Sequence, residues 1–211
     1  VIRLAFLRKA APFLSLIGAS MLKTKDLVLV ALFTAMIIVL GLIPPVPVPW
    51  VPVPITLQTF GVMLAGLILG PWRGGLVVLT YVLIAMVGIP VLPGGRAGLA
   101  VLAGPTGGFL LGMIPGAVMT GWLAGALPRG ETLHTPQGWK AVTPQVLRCW
   151  IASVVGGLLV VYACGVPWLA TVTGMGLSKA AWAVVVFLPG DLLKALVASL
   201  VAQRVRQLGL T

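Results

Sequence analysis

Two ionisable residues, Asp191 and Lys194, interrupt an otherwise apolar stretch late in the chain. A charged side chain at the centre of a membrane span costs about 2.5–3.5 kcal/mol on insertion scales, so each needs a compensating partner. Their i, i+3 spacing puts both on one face of a helix. Pro189-Gly190 just before them fits a helix start, where Asp191 sits favourably against the N-terminal dipole. Two readings stay open: an internal ion pair that caps the helix while Lys194 snorkels to the interface, or a site that offers acceptors and donors to a polar ligand. Arg96, in a Pro- and Gly-rich stretch, is either a solvated interface residue or the partner of a ligand carboxylate. Thr56 and Gln58, just after Pro54, and Tyr81 further on can project polar groups into the same half of a helix bundle, or bond to neighbouring helices instead.

Other residue types narrow the chemistry. The sequence has no G-x-x-x-x-G-K phosphate loop and no metal-ligand cluster. Its single histidine, His134, lies in a hydrophilic connection and has no expected ligand role. Binding is therefore expected rather than hydrolysis or metal chemistry, with no catalytic residue, cofactor or metal.

The elements that must hold these residues are membrane helices. The chain is 60% hydrophobic and 8% charged over 211 residues, against about 45–50% and about 25% for a soluble domain. At roughly 20 residues per crossing this length accommodates about six spans and no sizeable soluble domain, so any ATP-hydrolysing unit must come from another chain. The formal charge of +11 comes from basic residues scattered between apolar runs, which argues against nucleic acid and for membrane topology. Cys149 and Cys164 fall on one expected helix, about 22 Å apart, beyond disulfide reach.

Hydropathy and breakers place spans near Leu27–Ile43 and Thr56–Leu69, a third after the following turn and running to about Val87, then Pro105–Leu127, Leu147–Leu169, and from Pro189 to about Val205, the last with an apolar lead-in over Ala180–Phe187. The proline-rich segment Ile43–Pro54 cannot stay helical and is expected to be an extended or irregular loop at the interface, with Trp50 as a headgroup anchor. Gly70-Pro71-Trp72-Arg73-Gly74-Gly75 reads as a tight turn between antiparallel helices, and Pro128–Pro144 as the one long hydrophilic connection. Lys23, Lys25, Arg73, Arg129, Lys140, Arg148, Arg204 and Arg206 fall on one side, against Arg96, Lys179 and Lys194 on the other. The positive-inside tendency then puts both termini in the cytoplasm, as an even number of spans requires. Residues 1–20 imitate a signal sequence but are too short to span; with a second start available at Met21, they read as a dispensable extension before a single membrane domain over 21–211.

Three motifs make the sequence specific: Pro54-Ile55-Thr56-Leu57-Gln58-Thr59-Phe60, Gly104-Pro105-Thr106-Gly107-Gly108-Phe109, and Phe187-Leu188-Pro189-Gly190-Asp191-Leu192-Leu193-Lys194. With the intervening Gly94-Gly95-Arg96, they closely resemble the BioY family, the biotin-binding S-components of energy-coupling-factor (ECF) transporters, from about Met21 to the C-terminus and in family order. The resemblance implies an all-α integral membrane protein with the six-helix S-component fold in the cell membrane. It also implies biotin as ligand, and a transmembrane coupling protein and paired cytoplasmic ATPases as partners. Asp191 and Lys194 inherit a biotin-binding role and Arg96 a part in ligand contact, while Thr56, Gln58, Tyr81 and Thr106 become wall or polar-contact positions. Biotin's ureido group suits the acid and amine, and its carboxylate suits Arg96. Ala31-Leu32-Phe33-Thr34-Ala35 matches the family's small-residue face for the coupling protein, so Ala31 and Ala35 are the expected partner contacts. The rival readings are an S-component for another small vitamin and a membrane scaffold without ligand.

Overall fold

A computed structural model describes residues 23–126 and 144–207. The expected extension 1–20, His134 and most of the long hydrophilic connection lie outside the described residues. Helix α1, Thr24–Leu42, begins with Asp26 in its first turn, where the Lys23 backbone N–H donates to the Asp26 carboxylate at 3.3 Å. It ends where Ile43 turns extended ahead of Pro44, as a residue before proline must.

The proline-rich segment is more regular than a loop. Strands β1, Val46–Val48, and β2, Val51–Ile55, pair antiparallel, with Val48 opposite Val51 and Val46 opposite Ile55 across an irregularity in register. The expected helical architecture thus holds, with one short two-stranded hairpin added to it. Antiparallel pairing needs the N–H of only every second residue, and the Val-Pro alternation supplies valines for that role while Pro47, Pro49 and Pro52 stay exposed. Val48, Val51 and Val53 point into the core.

Helix α2, Gln58–Met86, is broken at Gly70, whose φ of 82° and ψ of −177° leave the helical region. Pro71 restarts the helix at a position where its missing N–H costs nothing. The chain folds back there: a Cβ added at Gly74 would lie 3.0 Å from the Gly66 Cα, whereas residues eight apart in a straight helix are about 12 Å apart. The short turn read from Gly70 to Gly75 is therefore present, and the two halves of α2 run antiparallel.

Then follow α3, Ala100–Ala103, and α4, Gly107–Ala126. After the second described stretch begins come α5, Pro144–Ser153, a π-helical segment Val154–Val160, and α6, Val161–Thr173. Helix α7, Leu177–Val184, leads through a 3₁₀ turn, Val185–Phe187, into α8, Leu188–Gln207. Helix α2 packs most extensively on α4, and α4 in turn on α6 and the π segment. Tyr81, Ile37, Met63 and Leu67 are fully buried in the core.

Among the described residues, five helical segments are long and apolar enough to cross a membrane: Thr24–Leu42, Gln58–Met86, Gly107–Gly125, Gln145–Thr173 and Leu177–Arg206. The outer surface carries large exposed apolar side chains such as Val28, Leu32, Val39 and Trp182, a surface solvated by lipid rather than water.

Candidate functional site: a polar-floored cavity beside the hairpin

A cavity of about 700 Å³, including open space at its mouth, lies between the hairpin, the start of α2, the 92–106 loop region, α4, α6 and the start of α8. Its walls are mainly apolar, with Val53, Ile55, Leu92, Phe109, Met113 and Phe187 among them. Its polar residues are Thr56, Gln58, Thr59, Arg96, Thr106, Tyr162, Asp191 and Lys194. Six of the seven substrate-contact candidates read from the sequence are in that set, brought together from segments more than 130 residues apart.

The acid and amine form the centre. Lys194 Nζ lies 2.8 Å from Asp191 Oδ1, with both side chains largely enclosed. Lys194 also donates to the Thr56 backbone carbonyl at 2.6 Å and to Thr59 Oγ1 at 3.4 Å, which uses all three of its N–H donors. Asp191 in turn accepts from Tyr162 Oη at 2.7 Å through Oδ2, and from Thr59 Oγ1 at 3.5 Å through Oδ1. Thr56 contributes its main chain, not its hydroxyl, to this network.

Arg96 stands exposed at the rim, opposite its isolated bridge partner Leu92. Its Nε donates to the Pro93 carbonyl at 3.1 Å and one terminal nitrogen reaches Thr106 Oγ1 at 3.5 Å. The guanidinium is thus held at the cavity edge with donors to spare, the arrangement a carboxylate needs. Gln58 is buried in the wall. Tyr81 does not line the cavity: fully enclosed, it stands behind Gln58 and bonds to it.

Two members of the site, Thr59 and Tyr162, were not singled out in the sequence. Tyr162 stands in the first turn of α6, just beyond the π segment, whose Gly156 and Gly157 let the backbone lie against α4 and Met63. Its ring meets Phe109 edge-on, with centroids 6.1 Å apart and an interplanar angle of 85°. No group of three or more potential metal ligands occurs among the described residues.

Ala31 and Ala35 are exposed on α1, on the face away from the buried Thr34, Ile37 and Gly41.

A lipid-facing helical bundle that encloses a mostly apolar cavity with a few placed polar groups is a membrane protein built to hold a small molecule. Comparison with known proteins makes this specific. The model of the BioY family matches residues 14–210. The "Biotin transporter BioY" of Rhizobium etli is 46% identical over 184 residues, covering 87% of this chain and 94% of the relative. That of Rhodobacter capsulatus is 40% identical, with the same two coverages. A solved structure, described as the crystal structure of the S-component for biotin from an ECF-type ABC transporter, superposes with a TM-score of 0.78 at 31% identity, over 88% of this chain and 92% of that one. The chain belongs to the BioY family. It is a multi-pass membrane transport component, not an enzyme.

Proposed function

We propose that this chain captures biotin within the membrane as the S-component of an ECF-type uptake transporter, and that it works with a transmembrane coupling protein and cytoplasmic ATPases. The observation that carries the reading is the cavity itself. An ion pair with hydrogen-bonding neighbours suits the donors and acceptor of a cyclic urea, apolar walls suit a thioether ring and valeryl chain, and the Arg96 guanidinium at the rim suits a carboxylate. Asp191 and Lys194 address the ureido end, with Gln58, Thr56 and Thr106 as further polar contacts. Ala31 and Ala35 form the coupling-protein face, where small residues four apart permit close helix approach.

The chain crosses the bilayer six times, with the two halves of α2 counted separately. Both termini lie in the cytoplasm, in keeping with Lys23, Lys25, Arg73, Arg204 and Arg206 at the end remote from the cavity. The cavity then opens outward.

Equilibrium binding of labelled biotin to the purified chain, with other vitamins as competitors, tests the ligand. A scaffold binds none, and an S-component of different specificity prefers a competitor. Replacing Ala31 and Ala35 with Trp is expected to abolish co-purification with the coupling protein while biotin binding persists; loss of both together means misfolding and removes the assignment of that face.

A further inference from the structure

Gln58 and Asp191 are the two buried polar residues of the cavity wall, and an amide, unlike a carboxylate, can present either a donor or an acceptor. The direction is fixed from behind. The Val91 backbone carbonyl can only accept, and Tyr81 Oη lies 3.2 Å from it, so the phenol proton is committed there. The lone pairs of the same oxygen are left for Gln58, and only the Nε2 end of that amide can donate to them, as it does. Gln58 Oε1 is then the atom left for the cavity.

The cluster lies close against α1. A Cβ placed at Gly41 of α1 would come within 3.0 Å of the Val91 oxygen and 3.3 Å of both Gln58 Nε2 and Tyr81 Oη. A side chain at that position of α1 would crowd all three groups, which the glycine avoids.

We infer that Tyr81 is a positioning residue which, without touching the ligand, makes Gln58 present an acceptor to the cavity and so selects ligands that offer an N–H there. This inference rests on the biotin reading, which supplies a ligand with two ureido N–H groups. With Asp191 as the other buried acceptor, the wall carries two acceptors suited to those two donors.

The test is equilibrium binding of biotin and its two ureido N-methyl derivatives to the purified full chain and to Tyr81→Phe, Gln58→Leu and the double variant. The unaltered chain is expected to reject both methylated isomers. Gln58→Leu should relieve the rejection of one isomer only. Tyr81→Phe should weaken biotin roughly fivefold to tenfold, the worth of about one neutral hydrogen bond, and narrow the preference over that same isomer. In the Gln58→Leu background the Tyr81 change should cost less than about twofold, because there is no amide left to orient. An equal cost in both backgrounds shows a purely structural tyrosine and overturns the inference. So does a Gln58→Leu variant that still rejects both isomers, a measurement that needs no folded Tyr81 variant. Failure of the unaltered chain to bind biotin overturns the biotin reading and this inference with it; binding that persists with additive costs overturns this inference alone.

Discussion

Two ion pairs sit at opposite ends of the bundle with the same separation. Asp191 and Lys194 meet at 2.8 Å beside the cavity, and Asp26 and Arg73 meet at 2.8 Å where α1 begins and α2 turns back. Their surroundings differ. The cavity pair is 8% and 11% exposed and is held by Thr56, Thr59 and Tyr162 as well. At the other end Arg73 is 41% exposed and Asp26 14%. Distance is thus a poor measure of what an ion pair does. At the turn, water competes for the guanidinium and the contact fastens two segments loosely. Beside the cavity all three lysine donors already have protein partners, so the amine is held firmly in place. One of those partners is the Thr56 carbonyl at the exit of the hairpin, so a single amine ties the hairpin to the ion pair.

The largest expected effect breaks the cavity pair on one side. Lys194→Met leaves Asp191 enclosed without its cation, and removing one partner of a buried pair costs about 3–5 kcal/mol. Thermal unfolding of the purified chain should show that loss, and biotin binding should disappear. Replacing both, as Asp191→Leu with Lys194→Met, should restore most of the stability, because a matched apolar pair carries no desolvation penalty, while binding stays absent. Biotin affinity surviving in the double variant would make the pair a helix cap and nothing more.

A smaller effect sharpens the role of the neighbours. Tyr162→Phe keeps the edge-on contact with Phe109 but removes the 2.7 Å bond to the Asp191 carboxylate. Hydrogen bonds to charged groups are worth about 1.5–3 kcal/mol, so biotin affinity should fall by about tenfold to a hundredfold with little change in how the protein purifies. A titration showing unchanged affinity would mean that Lys194 and Thr59 alone orient the acid.

How much of this was legible depends on how unusual each residue is for its setting. Asp191, Lys194, Gln58 and Arg96 stand out because polar groups in apolar runs demand a partner, and all four belong to the cavity wall. The turn at Gly70-Pro71 was legible for a similar reason, since it combines the two residues least compatible with a continuing helix. Thr59 carries no such signal, because a threonine in a span satisfies itself on the preceding turn as often as on a ligand. Tyr162 left one unused signal: the chain has only two tyrosines, and a phenol among lipid-facing helices must find an acceptor. Both bond into the site, Tyr162 to Asp191 and Tyr81 to Val91 and Gln58. Tyr81's position behind the wall, rather than in it, depends on the fold-back of α2 and on the 87–91 segment, and no local pattern carries that. The hairpin is not legible locally, because prolines end helices plainly, whereas the pairing of the valines between them is a property of two strands at once.

The smallest expected effect tests the other half of the comparison. Asp26→Asn or Arg73→Gln removes the ion pair at the turn, where an exposed pair is worth about 0.2–1 kcal/mol. The melting temperature should drop slightly at low salt and hardly at all at high salt, since added ions screen an exposed contact far more than an enclosed one. Biotin affinity should stay within about twofold of the unaltered chain, because neither residue borders the cavity. Thr34 keeps α1 on α2 independently by donating to the Val77 carbonyl at 3.2 Å, so the helix has a second fastening when the first is cut. A large loss of biotin affinity in either variant would show that the two ends are coupled through α1, whose Gly41 lies beside the Gln58–Tyr81 cluster. The pair at the turn would then be part of how the cavity is held.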